Sequence, residues 1–125
     1  MILIFGGVYQ GKLAYALDRF GLTDNDVYLC GEDFTMPGDK KIIYEIDKWI
    51  LALIKANIDT EEAVRQFAYR NSDAIVICND ISCGIVPMDA MLRKWREVVG
   101  RSLVELSEAS DEVIRLFCGI PTRIK

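Results

Sequence analysis

Histidine is missing from this chain altogether, which removes imidazole as general base, as covalent phosphate carrier and as metal ligand. Cysteine occurs four times, at Cys30, Cys78, Cys83 and Cys118, mostly within or just after apolar runs and never as CxxC. These residues read as reduced thiols. Cationic excess is missing too: 15 Lys and Arg against 19 Asp and Glu leave a net charge of −4. That balance argues against nucleic acid or an anionic membrane as partner, and leaves room for a local cationic pocket. No apolar stretch approaches membrane-spanning length. Met1 to Phe5 is too short for a signal peptide and lacks its basic flank, so the cytoplasm is the expected compartment. Repeats and low-complexity tracts are also absent. What is present is 125 residues, 51% of them hydrophobic, enough for one domain over residues 1–125 with a buried core.

Met1-Ile2-Leu3-Ile4-Phe5 reads as a strand and runs straight into Gly6-Gly7-Val8-Tyr9-Gln10-Gly11-Lys12-Leu13. That octet follows the phosphate-loop pattern G-x-x-x-x-G-K-[ST] in all but its last position. In such a loop glycines let backbone N–H groups curl around phosphate oxygens, the lysine pairs with them, and the hydroxyl holds Mg²⁺. Leu13 has no oxygen to offer. The residues that follow, Lys12 to Phe20, form helix readily and meet Gly21 as C-cap, so a bound anion would sit on a helix N-terminus. A tight glycine turn that binds nothing is the plainer reading of the same residues. The order strand, loop, helix favours a phosphate site, with ATP or GTP as ligand, Lys12 as its cation and Mg²⁺ poorly held.

Val27 to Cys30 and Lys41 to Glu45 read as strands separated by a loop, Gly31 to Lys40. Ile46, Trp49, Ile50, Leu53 and Ile54 recur at helical spacing, which makes Trp49 a core residue before a ligand platform. Asp59-Thr60-Glu61-Glu62 offers an N-cap for a further helix to about Arg70. Asp73 to Asn79 is a continuous β-branched run of the kind buried on both faces of a parallel sheet. A long helix follows Pro87, with Met91, Leu92, Trp95, Val98, Val99, Leu103 and Leu106 on its apolar side. Glu112 to Phe117 is a fifth strand, and Thr122 to Lys125 a short last one, antiparallel to it. The alternation specifies an open α/β sheet with the glycine loop at the carboxyl end of its first strand.

A phosphate loop works with a carboxylate at a strand end that holds Mg²⁺ or its water shell. Glu45 and Asp80 each end an apolar strand and are the candidates for the metal, with Asp80 joining Lys12 as a candidate catalytic residue. A cap or a solvated turn would explain both carboxylates equally simply, and Asp47 beside Glu45 blurs the register. Arg93, Arg96 and Arg101 lie at helix spacing and read first as solvent-facing. Cys83 has no histidine to activate it.

CNDISCGIVP (Cys78 to Pro87), LRKWREVVGR (Leu92 to Arg101) and ASDEVIRLFCGIPTRIK (Ala109 to Lys125), with GGVYQGK at the front, resemble the bifunctional adenosylcobinamide kinase/adenosylcobinamide-phosphate guanylyltransferases of cobalamin biosynthesis. The resemblance runs over most of the chain and identifies it as a shortened, divergent member. It implies a RecA-like P-loop NTPase fold, an open mostly parallel sheet flanked by helices, in a closed homo-oligomer, typically a trimer. It also implies phosphorylation of a cobinamide-type small molecule, followed by GMP transfer through a covalent histidine. Residue by residue, Gly6, Gly7, Gly11 and Lys12 match the family's phosphate loop. Glu45 matches its strand-end acid, Asn79 and Asp80 its Asn-Glu pair, Gly84 to Pro87 its turn, and Arg93, Gly100 and Arg101 its R…GR spacing.

The departures fall at chemically decisive places. Where the family carries a helical segment with its guanylylated histidine, this chain has Gly31 to Lys41. Ser82 stands near the family's glycine, and Leu103 and Val104 replace an Asn-Gln pair. Guanylyl transfer is therefore expected to be lost and kinase activity weak or absent. The competing expectation is a non-enzymatic oligomeric or partner-binding protein with a vestigial nucleotide site.

Overall fold

The computed structural model describes residues 1–36, 38–81 and 88–125. Strands β1 (Ile2–Gly6), β2 (Val27–Leu29), β3 (Ile42–Tyr44), β4 (Ile75–Asn79), β5 (Glu112–Phe117) and β6 (Ile120–Arg123) form one sheet in the order β2-β3-β4-β1-β5-β6. The first five run parallel, and β6 returns antiparallel to β5. Helices α1 (Lys12–Phe20), α2 (Ile46–Lys55), α3 (Thr60–Arg70) and α4 (Ala90–Ala109) flank it. The fold is the α/β architecture that the alternating hydrophobic periods specify.

Alternation along each strand sends side chains into two cores. Leu3, Ile43, Val76, Cys78 and Val113 meet Trp49, Ile50 and Leu53 of α2, Val64 and Phe67 of α3, and Val99 and Leu106 of α4. Ile4, Ile42, Ile75, Ile77 and Ile114 enter the other core, where α1 covers them with Ala16 and the half-buried Leu13, Leu17 and Phe20. β4 lies in the middle with all five residues buried, which is why its sequence does not alternate. Trp49 is core: its ring centroid lies 5.3 Å from that of Phe67, and its Nε1 donates to the Phe34 carbonyl at 3.0 Å. Asp59 caps α3, accepting from the Glu62 N–H.

Two sequence expectations need correction. The last strand is Ile120–Arg123 and begins two residues before Thr122. Cys118 and Gly119 both take positive φ, 51° and 76°, and close a two-residue hairpin that pairs Phe117 with Ile120 at once. Pro121 is tolerated because β6 is an edge strand. On α4, Met91 and Leu92 are 41% exposed, while Val99, Ser102 and Leu106 are buried. A 20-residue helix is about 30 Å long and the strands beneath it under about 20 Å, so its first turns overhang the sheet. The turn expected at Gly84 to Pro87, with Ser82 and Cys83, lies outside the described residues.

Candidate phosphate-binding site

β1 ends at the carboxyl edge of the sheet and α1 starts six residues later, so Gly6 to Lys12 is a short bridge whose shape is set at both ends. At its start the Gly6 carbonyl accepts the Asp80 N–H at 2.8 Å, which ties the loop to the end of β4. No side chain fits at Gly6, because a Cβ there would stand 2.3 Å from the Leu116 carbonyl oxygen. Farther along, Tyr9 and Gly11 take φ of 62° and 85°, and Gly11 caps α1 in the left-handed conformation. The Tyr9 side chain is 99% exposed.

Lys12 is 4% exposed, although it is charged and stands at the first position of α1. Its ammonium donates to the Gly7 carbonyl at 2.6 Å and so lies folded across the loop. Burial holds its pKa below the ordinary lysine value, against the opposing pull of the negative charge of Asp47 and Glu45. A buried cation beside a glycine loop at a helix N-terminus can pair with an anion such as a phosphate oxygen.

Leu13 points the other way. It packs against the core of Ile4, Ala16, Ile77 and Ile114, so the position that carries a hydroxyl in a complete loop is apolar and committed to packing. Among the described residues no three of His, Cys, Asp and Glu come together as a metal would need. A hydroxyl ligand for Mg²⁺ is therefore missing at position 13.

The strand-end carboxylates are distributed differently from one another. Glu45 is half-buried in a left-handed conformation, φ 60°, as the N-cap of α2, and it lines a cleft of about 580 Å³ with Cys30, Phe34, Lys48 and Leu51. Asp80 is half-buried one residue past β4, its backbone on Gly6. The carboxylate that the fold buries completely is Asp47. Its Oδ1 accepts the Asn79 N–H at 3.1 Å, its Oδ2 accepts from Asn79 Nδ2 at 3.3 Å, and its carbonyl accepts from Trp95 Nε1 at 2.7 Å. Burial raises its pKa and the Asn79 bonds pull it back down. Sequence reasoning passed over Asp47 in favour of Glu45. The available signal was its position three before Ile50 and seven before Ile54, on the border of the apolar stripe of α2.

Arg101 pairs with Glu97 at 2.5 Å on an exposed face of α4, and Arg93 donates to the Met88 carbonyl at 2.5 Å. Burial pushes the Cys30 thiol up to about 12 and Cys78 well above its ordinary value, so neither is a thiolate at neutral pH.

Sheet, loop and buried lysine define an α/β protein of the P-loop type. A family model described as cobinamide kinase / cobinamide phosphate guanyltransferase matches residues 40–124, and the chain belongs to that family. Over 81 residues it is 31% identical to the bifunctional adenosylcobalamin biosynthesis protein CobU of Salmonella typhimurium, covering 63% of this chain and 45% of that protein. Over 94 residues it is 29% identical to the protein of the same description from Escherichia coli, covering 74% and 50%. The chain spans about half the length of these curated relatives. The matched family segment begins after the phosphate loop, so the reading of Gly6 to Leu13 stands on its own residues and geometry. No helix among the described residues is long and apolar enough to cross a membrane.

Proposed function

We propose that the chain binds the phosphates of a nucleotide, ATP or GTP, in the loop Gly6 to Leu13, weakly and with little help from Mg²⁺. The observation that carries this reading is the buried Lys12 ammonium held on the Gly7 carbonyl over a glycine-capped helix start. Guanylyl transfer through a histidine is lost, since the chain has none. A residual kinase step would use Lys12 to neutralise the transferred phosphate and Asp80, beside the loop, to orient the acceptor. The cleft lined by Glu45 and Lys48 would receive a cobinamide-type small molecule. Relatedness to the family supports assembly as a homo-oligomer, a trimer by resemblance, and residues 1–125 act as one domain in a cytoplasmic setting.

A second reading has its own observation. Leu13 is spent on the core while Met88, at 96% exposure just before α4, and Met91 and Leu92 in its first turn stand open, which favours a non-enzymatic oligomer with a vestigial site. A thermal-shift panel of nucleotides on the wild type and on Lys12→Ala separates the two, because a ligand that binds only the native state raises its melting temperature. The phosphate reading expects a rise with ATP or GTP that the variant lacks. Flat curves for both proteins would leave the assembly reading.

A further inference from the structure

The phosphate loop is held from a second side, by the hairpin between β5 and β6. The Gly119 N–H donates to the Gln10 carbonyl at 3.1 Å, and the Cys118 N–H donates to the Gln10 side-chain Oε1. Both oxygens of one loop residue are therefore engaged by consecutive amides of a turn more than a hundred positions away. Each partner lies beside or within left-handed backbone: Tyr9 and Gly11 flank Gln10 at φ 62° and 85°, and Cys118 and Gly119 stand at 51° and 76°. Non-glycine residues in this region cost free energy and persist only where surrounding contacts fix them. Leu116 completes the support, its carbonyl closing on Gly6 and its Cδ2 lying 3.9 Å from where a Cβ of Gly11 would be.

We propose that Gln10 is a positioning residue for phosphate binding. Its side chain latches the loop to the β5–β6 hairpin, and that latch holds the curl of Val8 to Lys12 in the shape that receives a phosphate. The inference rests on the loop being a phosphate site. A loop whose curl is fixed before the ligand arrives pays no ordering cost on binding, whereas an unlatched loop must be ordered by the phosphate itself. The Gln10 side chain also accepts at Cys118, so the Cys118 amide reports whether the latch is closed, independently of any ligand.

The test uses Gln10→Met, which keeps length and removes the acceptor, and Gln10→Glu, which keeps an acceptor. Hydrogen exchange at the Cys118 amide should speed up in the Met variant by about tenfold, the scale of one net hydrogen bond, and stay slow in the Glu variant. In calorimetry with pyrophosphate as probe, run well below both melting points, the folded Met variant should bind about tenfold more weakly, a loss that a contact serving stability alone would not produce. Wild-type exchange in the Met variant, or faster exchange with unchanged pyrophosphate affinity, overturns the proposal. Lys12→Ala separates this from the site itself. If the wild type and Lys12→Ala both ignore pyrophosphate, the phosphate reading has failed and the latch serves no binding. If Lys12→Ala alone loses pyrophosphate while Gln10→Met keeps it, only the latch is wrong.

Discussion

Lys12 and Leu13 are neighbours with opposite commitments, and together they set what the loop can do. Lys12 is buried at a cost: its pKa is lowered, so the folded chain binds fewer protons than the unfolded chain between the folded value and the ordinary 10.5. Stability therefore rises with pH across that window, and below it the full cost is present. Lys12→Met should remove the cost, raising the denaturant midpoint at pH 7 and flattening its alkaline rise, while abolishing phosphate affinity. A midpoint that falls in the variant would mean that the ammonium stabilises the loop through Gly7 more than burial penalises it. The glycines, the lysine and the missing hydroxyl were legible from spacing alone, because a phosphate loop is a local pattern. Asp47 was not: its burial depends on Asn79 and Trp95, which reach it from β4 and α4, 32 and 48 residues away.

At the scale of elements, the loop is governed by what its neighbours leave room for. β1 and β5 pair in register from Ile2 with Glu112 to Phe5 with Arg115, and Gly6 then passes against the Leu116 carbonyl. Gly6→Ala forces that contact apart and should cost about 3 kcal/mol, at the upper end of overpacking changes, read as a loss in urea midpoint. A variant as stable as the wild type would show that β5 yields freely at Leu116. The first three helices were read within a residue or two, since capping at Asp59 and Gly21 and the 3.6-residue period are local signals, whereas the long helix was read only as following Pro87. The last strand was misplaced because its start is fixed by a hairpin through two positive-φ residues, one of them a cysteine, a type that rarely marks such a turn. The latch between Gln10 and that hairpin joins opposite ends of the sequence and left no trace in either one.

For the whole molecule, the parallel order of β2 to β5 brings Gly6, Tyr44 and Asn79 to one edge of the sheet, where an α/β fold collects its ligands. That gathering was readable from alternating strands and helices, and the family match is in keeping with it. The overhanging start of α4 predicts self-association: sedimentation at micromolar concentration should give a species larger than a monomer, and Met91→Lys should shift it toward monomer, while a wild-type monomer would refute the prediction. The central claim, a phosphate site that works on backbone and lysine without a metal ligand, is tested most directly by calorimetric titration of ATP and GTP into the wild type and Leu13→Ser, each with Mg²⁺ and with EDTA. The account predicts weak wild-type binding that EDTA leaves unchanged, and a folded Leu13→Ser protein that binds more tightly with Mg²⁺ than without. Wild-type binding that disappears in EDTA would contradict it.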